Sequence, residues 1–459
     1  MKTSRLHNAA MLDPTRRVLR TQGDRPAVTE HAHKSSRSLG ALEHLFWLMD
    51  QNRPVHFAVT ALISGETSPR DWRRALNRLQ ERHPIMSVCI DGEPGSVPSF
   101  RQADVAPIPL RIVEDEPELR WEVEAGEELA TPFNPRQAPL IRAVLIQGIR
   151  NAAFMLVAHH SIADGLSLAY AIRDTLDVLS GRALKPLPWL PSQDDMMNVP
   201  RMNVPGGAAD GREQSEAQAL NPAVYRPNDN ARPTVKGLRL SPRLTSKIRD
   251  RARREGTTVH GALCAALLLA SREVFAEWRN TPLRIMSPIN VRPLIDVGES
   301  CGVFVSATTS VFNGEAKEFW ELARDARNSI AANQTSEYIR AGLSAFRQVV
   351  GNGAKVATAA ELAAQVFANE VMVTNLGILS FDRQFGPVAL EALFGPAVLT
   401  GFEGQQTIGV ATVGGALCLL HTGHTTQDGL LEKTQSILAR ACDENLRVRR
   451  HTPSVCALA

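Results

Sequence analysis

Residues 159–165 read HHSIADG and follow the apolar run Phe154-Met155-Leu156-Val157-Ala158. Two imidazoles, a carboxylate and a glycine within seven positions suit proton transfer. A neutral imidazole nitrogen takes a proton from a hydroxyl or an amine as that group attacks an activated acyl carbon. His160 is the candidate base, and His159 is read as a buried supporting residue. Asp164 has two readings: it orients the imidazole, or it pairs with an arginine and fixes the turn. An unpaired buried carboxylate is costly and Gly165 must turn sharply there, which favours the second reading. Backbone amides at a helix start on Gly165 would be aimed at an oxyanion. No GxSxG elbow or Cys-His pairing supplies a nucleophile. A metal is set aside: adjacent strand histidines point to opposite faces, and no second cluster completes a ligand set.

The positioning elements are legible on both sides of the motif. Residues 154–158 form the continuous apolar run of a strand buried on both faces. Leu166, Ala169, Tyr170, Ile172, Leu176 and Leu179 recur at helical spacing. The histidines therefore occupy a strand-to-helix junction. Upstream, the pattern predicts a helix over 39–50, a strand near 55–63 and a helix opened by Ser68-Pro69 and ended before Pro84. Further strands are expected near 86–90, 109–113 and 140–148.

Length and composition bound the rest. The chain has 459 residues, 44% of them hydrophobic, enough for two lobes. Its net charge of +3 comes without a lysine or arginine block, so nucleic acid is not an expected partner. The six cysteines lack metal spacing and lie mostly in apolar stretches, which fits a reduced compartment. No apolar leader and no membrane-length apolar segment is present, so a cytoplasmic location is expected.

Organisation follows from composition shifts. Residues 1–36 are polar and aperiodic, hence expected to be disordered. A first lobe of mixed α and β spans 37–184. Residues 185–235, rich in Pro, Asn, Gly, Gln and Asp, are expected to form an inter-lobe linker. A second lobe spans 236–446, with helices capped by Ser241-Pro242 and Thr257-Thr258, strands near 283–291, 303–312, 371–374, 405–413 and 416–421, and helices near 316–333, 336–350 and 428–446. Residues 447–459 form a tail. The segment around His424-Thr-Thr-Gln-Asp428-Gly429 repeats the strand-HxxxDG-helix plan, which suggests lobes of common design, although two such junctions can also coincide by chance. His424 itself is read as structural.

With these residues in view, HHSIADG resembles the signature of the chloramphenicol acetyltransferase-like superfamily, which includes peptide-synthetase condensation domains, polyketide-associated acyltransferases, wax ester synthases and alcohol acyltransferases. ALNRLQERHPIM (75–86) is similar to that family's early helix and HPxL-like turn, and REGTTVHGALCAALLLA (254–270) to the buried helix opening its second lobe. INVRP (289–293) resembles the segment whose arginine meets the motif aspartate, and VTNLG (373–377) resembles an SNLG-type segment. SFDRQFG (380–386) is a poor echo of the plant branch's DFGWG, which puts membership of that branch in doubt. The resemblance covers roughly residues 37–446.

The resemblance implies an α+β fold of two lobes with a tunnel between them. It implies His160 as base, His159 as supporting residue, Asp164 paired with Arg292, Gly165 beside the acyl path, and Asn375 and Gly377 bordering the substrate channel. It also implies a thioester co-substrate, acyl-CoA or an acyl carrier protein, with an alcohol or amine acceptor and no resident cofactor or metal. A monomer is expected. Three functions follow: acyl transfer to a hydroxyl, amide-forming condensation, or carrier binding without catalysis.

Overall fold

The computed structural model describes residues 36–102, 106–114, 120–200, 223–226, 229, 231–315, 317–351 and 353–443. The expected disordered segment, apart from Ser36, and the expected tail lie outside these residues, as does the middle of the expected linker. In chain order the elements are β1 (Ser36–Ser38), α1 (Ala41–Asn52), β2 (Phe57–Gly65), α2 (Pro69–Arg82), β3 (Val88–Asp91), β4 (Ser99–Gln102), β5 (Leu110–Glu114), α3 (Trp121–Ala130), β6 (Ile141–Gln147), β7 (Asn151–Ala158), α4 (Gly165–Leu179) and α5 (Gln193–Met196). They continue with β8 (Thr234–Arg239), α6 (Pro242–Arg254), α7 (Val259–Val274), β9 (Leu283–Asn290), β10 (Val305–Phe312), α8 (Phe319–Asn333), α9 (Ser336–Gly351), α10 (Val356–Val366), β11 (Val371–Ile378), β12 (Gln384–Phe385), β13 (Val388–Ala397), β14 (Gln406–Val413), β15 (Ala416–Gly423) and α11 (Leu430–Cys442).

Local chemistry sets several boundaries. Ser68 caps α2 by accepting from the Asp71 amide, with proline at the first helical position. Ser241 and Thr258 cap α6 and α7 in the same way. β7 is buried on both faces, as its apolar run requires. Phe154, Leu156 and Ala158 join the large core, while Met155 and Val157 face a smaller one shared with Val235, Phe394 and Leu420.

Two six-stranded mixed sheets carry the architecture among the described residues, ordered β12-β13-β2-β7-β6-β5 and β10-β9-β11-β14-β15-β8, beside a small β1-β4-β3 sheet. The fold is thus α+β with two mixed sheets flanked by helices. The lobe boundaries need two corrections. Residues 384–397, expected in the second lobe, pair through β13 with β2 and complete the first sheet. A buried strand's composition does not reveal which sheet accepts it; only the long-range register does. Residues 187–199, expected as linker, are packed: Leu187 donates its amide to the Arg82 carbonyl (2.8 Å), and buried Asp194 accepts from the Ala41 amide (3.3 Å) and pairs with Arg347.

The sheets meet where β13 crosses β14. A Cβ on Gly409 would lie 2.3 Å from the Pro396 carbonyl oxygen, so only glycine allows that approach. Helix α7 is buried on nearly every side, from Gly261 through Ser271, as its apolar sequence demands. Among the described residues no helix is long and apolar enough to cross a membrane.

Candidate active site

The end of β7 delivers His159 and His160 into a short turn that Asp164 closes as the N-cap of α4. The two rings diverge. His159 is fully buried; its Nδ1 accepts from the Ser161 amide (3.1 Å), which places its proton on Nε2, 3.4 Å from Asp50 Oδ2. Asp50 also accepts from the Val55 amide at 3.0 Å, and His56 Nδ1 lies 3.8 Å away. Burial pushes the Asp50 carboxyl up, but His159 and then His56 outweigh it and hold the group below the usual carboxylate range.

His160 turns the other way. Its ring stacks on Phe46 at 4.1 Å and lies tilted on Phe57 at 4.7 Å. Nδ1 donates to the Ala163 carbonyl at 3.1 Å. A carbonyl can only accept, so the proton sits on Nδ1 and Nε2 keeps its lone pair. Burial lowers the ring's pKa to about 4, with only partial compensation from Asp164, so the imidazole is neutral at neutral pH.

The Asp164 carboxylate is saturated. It accepts from the Ser167 amide (2.8 Å), the Ser167 hydroxyl (2.9 Å) and the Phe304 amide (3.0 Å), and it meets Arg292 Nη2 at 3.1 and 3.2 Å. Arg292 also donates to the carbonyls of Gly298 and Ser300, at 3.3 and 3.0 Å, and lies over the Phe304 ring at 4.8 Å. This aspartate therefore caps a helix and anchors a loop from the other sheet; it does not face the His160 ring as a partner.

A cavity of about 290 Å³ opens beside His160, and both sheets contribute to it. Phe46 and Met49 of α1, Leu343 and Phe346 of α9 and Met372 of β11 make much of its wall, with Gly165 at the start of α4. Gly165 is in the cavity lining, and a Cβ there would stand 2.5 Å from Pro396 Cγ and 2.8 Å from Leu376 Cδ2. Among the described lining residues Asp164 is the single carboxylate, and no lysine or arginine is present.

Asn375 and Gly377 require correction, since neither lines the cavity. On β11 it is Met372 and Thr374 that do. Strand alternation turns Asn375 away with Val371 and Val373, and its Oδ1 accepts from the Gly377 amide at 2.8 Å across an irregularity in the strand. His424 also lies away from the cavity lining. Among the described residues no three His, Cys, Asp or Glu side chains are arranged to hold a metal ion.

Sequence reasoning missed Phe46, Phe57 and Asp50. Phe46 and Phe57 look like ordinary core residues of a helix and a strand, and Asp50 resembles any polar residue near a helix end. Only the fold brings them against the histidine pair.

Residues 229–384 match the family described as the phthiocerol/phthiodiolone dimycocerosyl transferase C-terminus. The chain is 26% identical over 296 residues to one of the plipastatin synthase proteins of Bacillus subtilis, covering 61% of this chain and 8% of that protein. It is 25% identical over 290 residues to bacitracin synthase 2 of Bacillus licheniformis, covering 56% and 10%. The chain thus corresponds to about a tenth of these curated relatives' length. Among solved structures, polyketide synthase associated protein 5 from Mycobacterium tuberculosis superposes with a TM-score of 0.61 at 17% identity, over 89% of this chain and 98% of that one. The first condensation domain of the CDA synthetase gives a TM-score of 0.64 at 16% identity, over 89% and 97%.

The architecture is therefore that of the chloramphenicol acetyltransferase-like proteins. In sequence the chain is similar to that C-terminal family over residues 229–384 and to peptide synthetases over part of its length.

Proposed function

We propose that this chain is an acyltransferase that moves an acyl group from a thioester to a hydroxyl, with His160 as general base. The observation that carries the reading is the state of one ring: His160 is neutral, its Nδ1 is committed to Ala163, and it lines an apolar cavity. Nε2 takes the proton of the acceptor hydroxyl as its oxygen attacks the thioester carbonyl. The tetrahedral oxyanion is stabilised by amides at the start of α4, where Gly165 borders the cavity. Collapse breaks the carbon–sulfur bond, and the imidazolium returns the proton to the departing thiolate. A thioester is already activated, so a positioned base and an oxyanion site suffice. The donor is a coenzyme A or carrier-protein thioester. One chain supplies both walls of the cavity, so the site needs no second copy.

Amide formation is the second reading, favoured by the match to the plipastatin and bacitracin synthases. The same base would then deprotonate an amine nucleophile. Purified protein given an acyl thioester with paired alcohol and amine acceptors separates the two by product mass. Ester alone supports the first reading and amide alone the second. His160→Ala should lower transfer by about 10²–10⁴-fold. A folded variant with undiminished turnover would remove the base from both readings. Carrier binding with no transfer to any nucleophile would replace both with the non-catalytic function.

A further inference from the structure

Helix α1 and the motif turn meet residue by residue. Glu43, Phe46 and Asp50 follow one another at helical spacing, so they share one face of α1. Each meets one residue of the motif. The Glu43 carbonyl accepts from the Ser161 hydroxyl at 2.7 Å, the Phe46 ring stacks on the His160 ring, and the Asp50 carboxylate faces His159 at 3.4 Å. The start of the helix is fixed in turn, since the Glu43 side chain accepts from the Gly40 amide and pairs with Arg37, both at 2.7 Å. A tie on either side of Phe46 therefore sets where its ring meets His160. Phe46 is also the odd residue of its helix. From Ala41 to Met49 every other side chain is buried, whereas Phe46 is half-buried and lines the cavity. A phenyl ring left partly open to a cavity forgoes some burial, which packing alone does not explain.

The angle between the rings is informative. Their planes lie 21° apart, with centroids at 4.1 Å. A near-parallel neighbour covers the face of an imidazole and leaves its edge free, and the Nε2 lone pair lies in the ring plane. Phe46 thus fixes the plane in which Nε2 accepts a proton, while Nδ1 is held to Ala163. Proton transfer turns the ring into a cation, and no free carboxylate waits for it. Asp164, the single acidic side chain among the described lining residues, is taken up by Arg292, Ser167 and Phe304. It still favours the imidazolium through space, and His159 opposes it. The phenyl face is in direct contact with the new charge, and an aromatic face attracts a cation within about 6 Å of its centre.

We propose that Phe46 is a positioning residue for the base: its stacked ring sets the plane of His160 and steadies the imidazolium that forms in the transition state. This rests on the base assignment above. The contact is stronger once the ring is charged than before, so it lowers the barrier to transfer and does not merely tighten binding. Glu43 and Asp50 serve the same end at one remove, by holding α1 in register with the motif. Phe57, tilted at 44° to the same ring, offers no such parallel face.

The test replaces Phe46 in the full chain by mono-, di- and trifluorophenylalanine. Ring fluorine withdraws charge from the aromatic face and nearly keeps the ring's shape. Octanoyl-coenzyme A with benzyl alcohol or benzylamine is the probe, and thiol release is followed in a single turnover, so that chemistry is read without product release. The rate should fall with each fluorine, by about 3–30-fold for the trifluoro ring, while the affinity for octanoyl-coenzyme A changes little. Phe46→Leu should lose as much, and Phe46→Tyr, which keeps an aromatic face, should lose little. In the trifluoro variant the acid limb of the rate profile should move to lower pH, because the imidazolium has lost a partner while Asp164 and His159 are unchanged. A move to higher pH would mean that the ring only kept water away, and would overturn the proposal. So would a rate that stays flat across the fluorine series, even with a slow Phe46→Leu, since that loss is then one of packing. The series also gives the answer where Phe46→Leu fails to fold. Failure of the base assignment reads differently: no thiol release by the wild type, or undiminished release by His160→Ala, removes the base and this proposal together, whereas a His160-dependent rate with a flat fluorine series removes this proposal alone.

Discussion

Replacing Arg292 with methionine tests the strongest structural claim made for the motif. The ion pair with Asp164 is deeply buried, the two side chains being 6% and 8% exposed. Methionine keeps much of the volume and removes the charge. Breaking a buried pair by deleting one partner costs about 3–5 kcal/mol, because the survivor is left uncompensated. Here the survivor is partly protected, since Asp164 keeps the Ser167 amide and hydroxyl and the Phe304 amide. That argues for the lower end of the range. Against it, the Gly298 and Ser300 carbonyls lose a donor, at roughly 1 kcal/mol each where they stay dry. The expected loss is about 3–4 kcal/mol. At roughly 2 °C per kcal/mol for a chain larger than 150–250 residues, the thermal midpoint should fall by about 6–8 °C. Differential scanning fluorimetry on the matched pair reads this directly. Arg292→Lys should recover part of the loss, since an ammonium reaches the carboxylate but not the two carbonyls together. Adding Asp164→Asn to Arg292→Met should also recover part of it by removing the stranded charge. A midpoint within about 1 °C of wild type would refute the view that this pair holds the turn to the loop of the opposite sheet.

Three further outcomes are expected. Gly165→Ala places a Cβ 2.5 Å from Pro396 Cγ and 2.8 Å from Leu376 Cδ2; the leucine can swing aside and the proline cannot, so stability should fall by about 1–3 kcal/mol and kcat/KM with it, and unchanged kinetics would show that the position does not border the acyl path. The transfer rate should stay level as pH falls through the ordinary histidine range near 6.5 and drop only towards pH 4, because His160 loses its lone pair at about 4; initial rates showing an inflection near 6.5 would contradict the buried neutral ring. His44, His160, His260 and His421 are each lowered to about 4 by burial, so the unfolded chain binds more protons between about 6.5 and 4. Their stabilising contribution is complete above about pH 6.5 and is lost as pH falls, by up to about 3 kcal/mol per ring near pH 4; urea midpoints that do not decline between pH 7 and 5 would count against it.

The motif's own chemistry was legible in the order of residues. An apolar run long enough for a strand, two histidines, an aspartate, a glycine and then a helical period place the histidine pair at a strand-to-helix junction, because these are short-range properties of the chain. The capped starts of α2, α6 and α7 were legible for the same reason. Helices α3 and α10 and strands β4, β8, β12 and β13 were not anticipated. Most are short or ambiguous in period, and their conformation depends on partners distant in sequence. VTNLG shows the limit within a single segment: the resemblance drew attention to Asn375 and Gly377, while alternation along β11 gives the cavity to Met372 and Thr374 instead.

What the sequence determined alone is therefore where the candidate proton-transfer groups sit and which local elements carry them, since hydrogen bonding and side-chain period act over a few residues. What only the tertiary structure decided is their surroundings. These are Asp50 facing His159, Phe46 and Phe57 against His160, and β13 joining the first sheet. Each depends on segments that are far apart along the chain, and their proximity is settled by sheet register and packing, which no local pattern encodes.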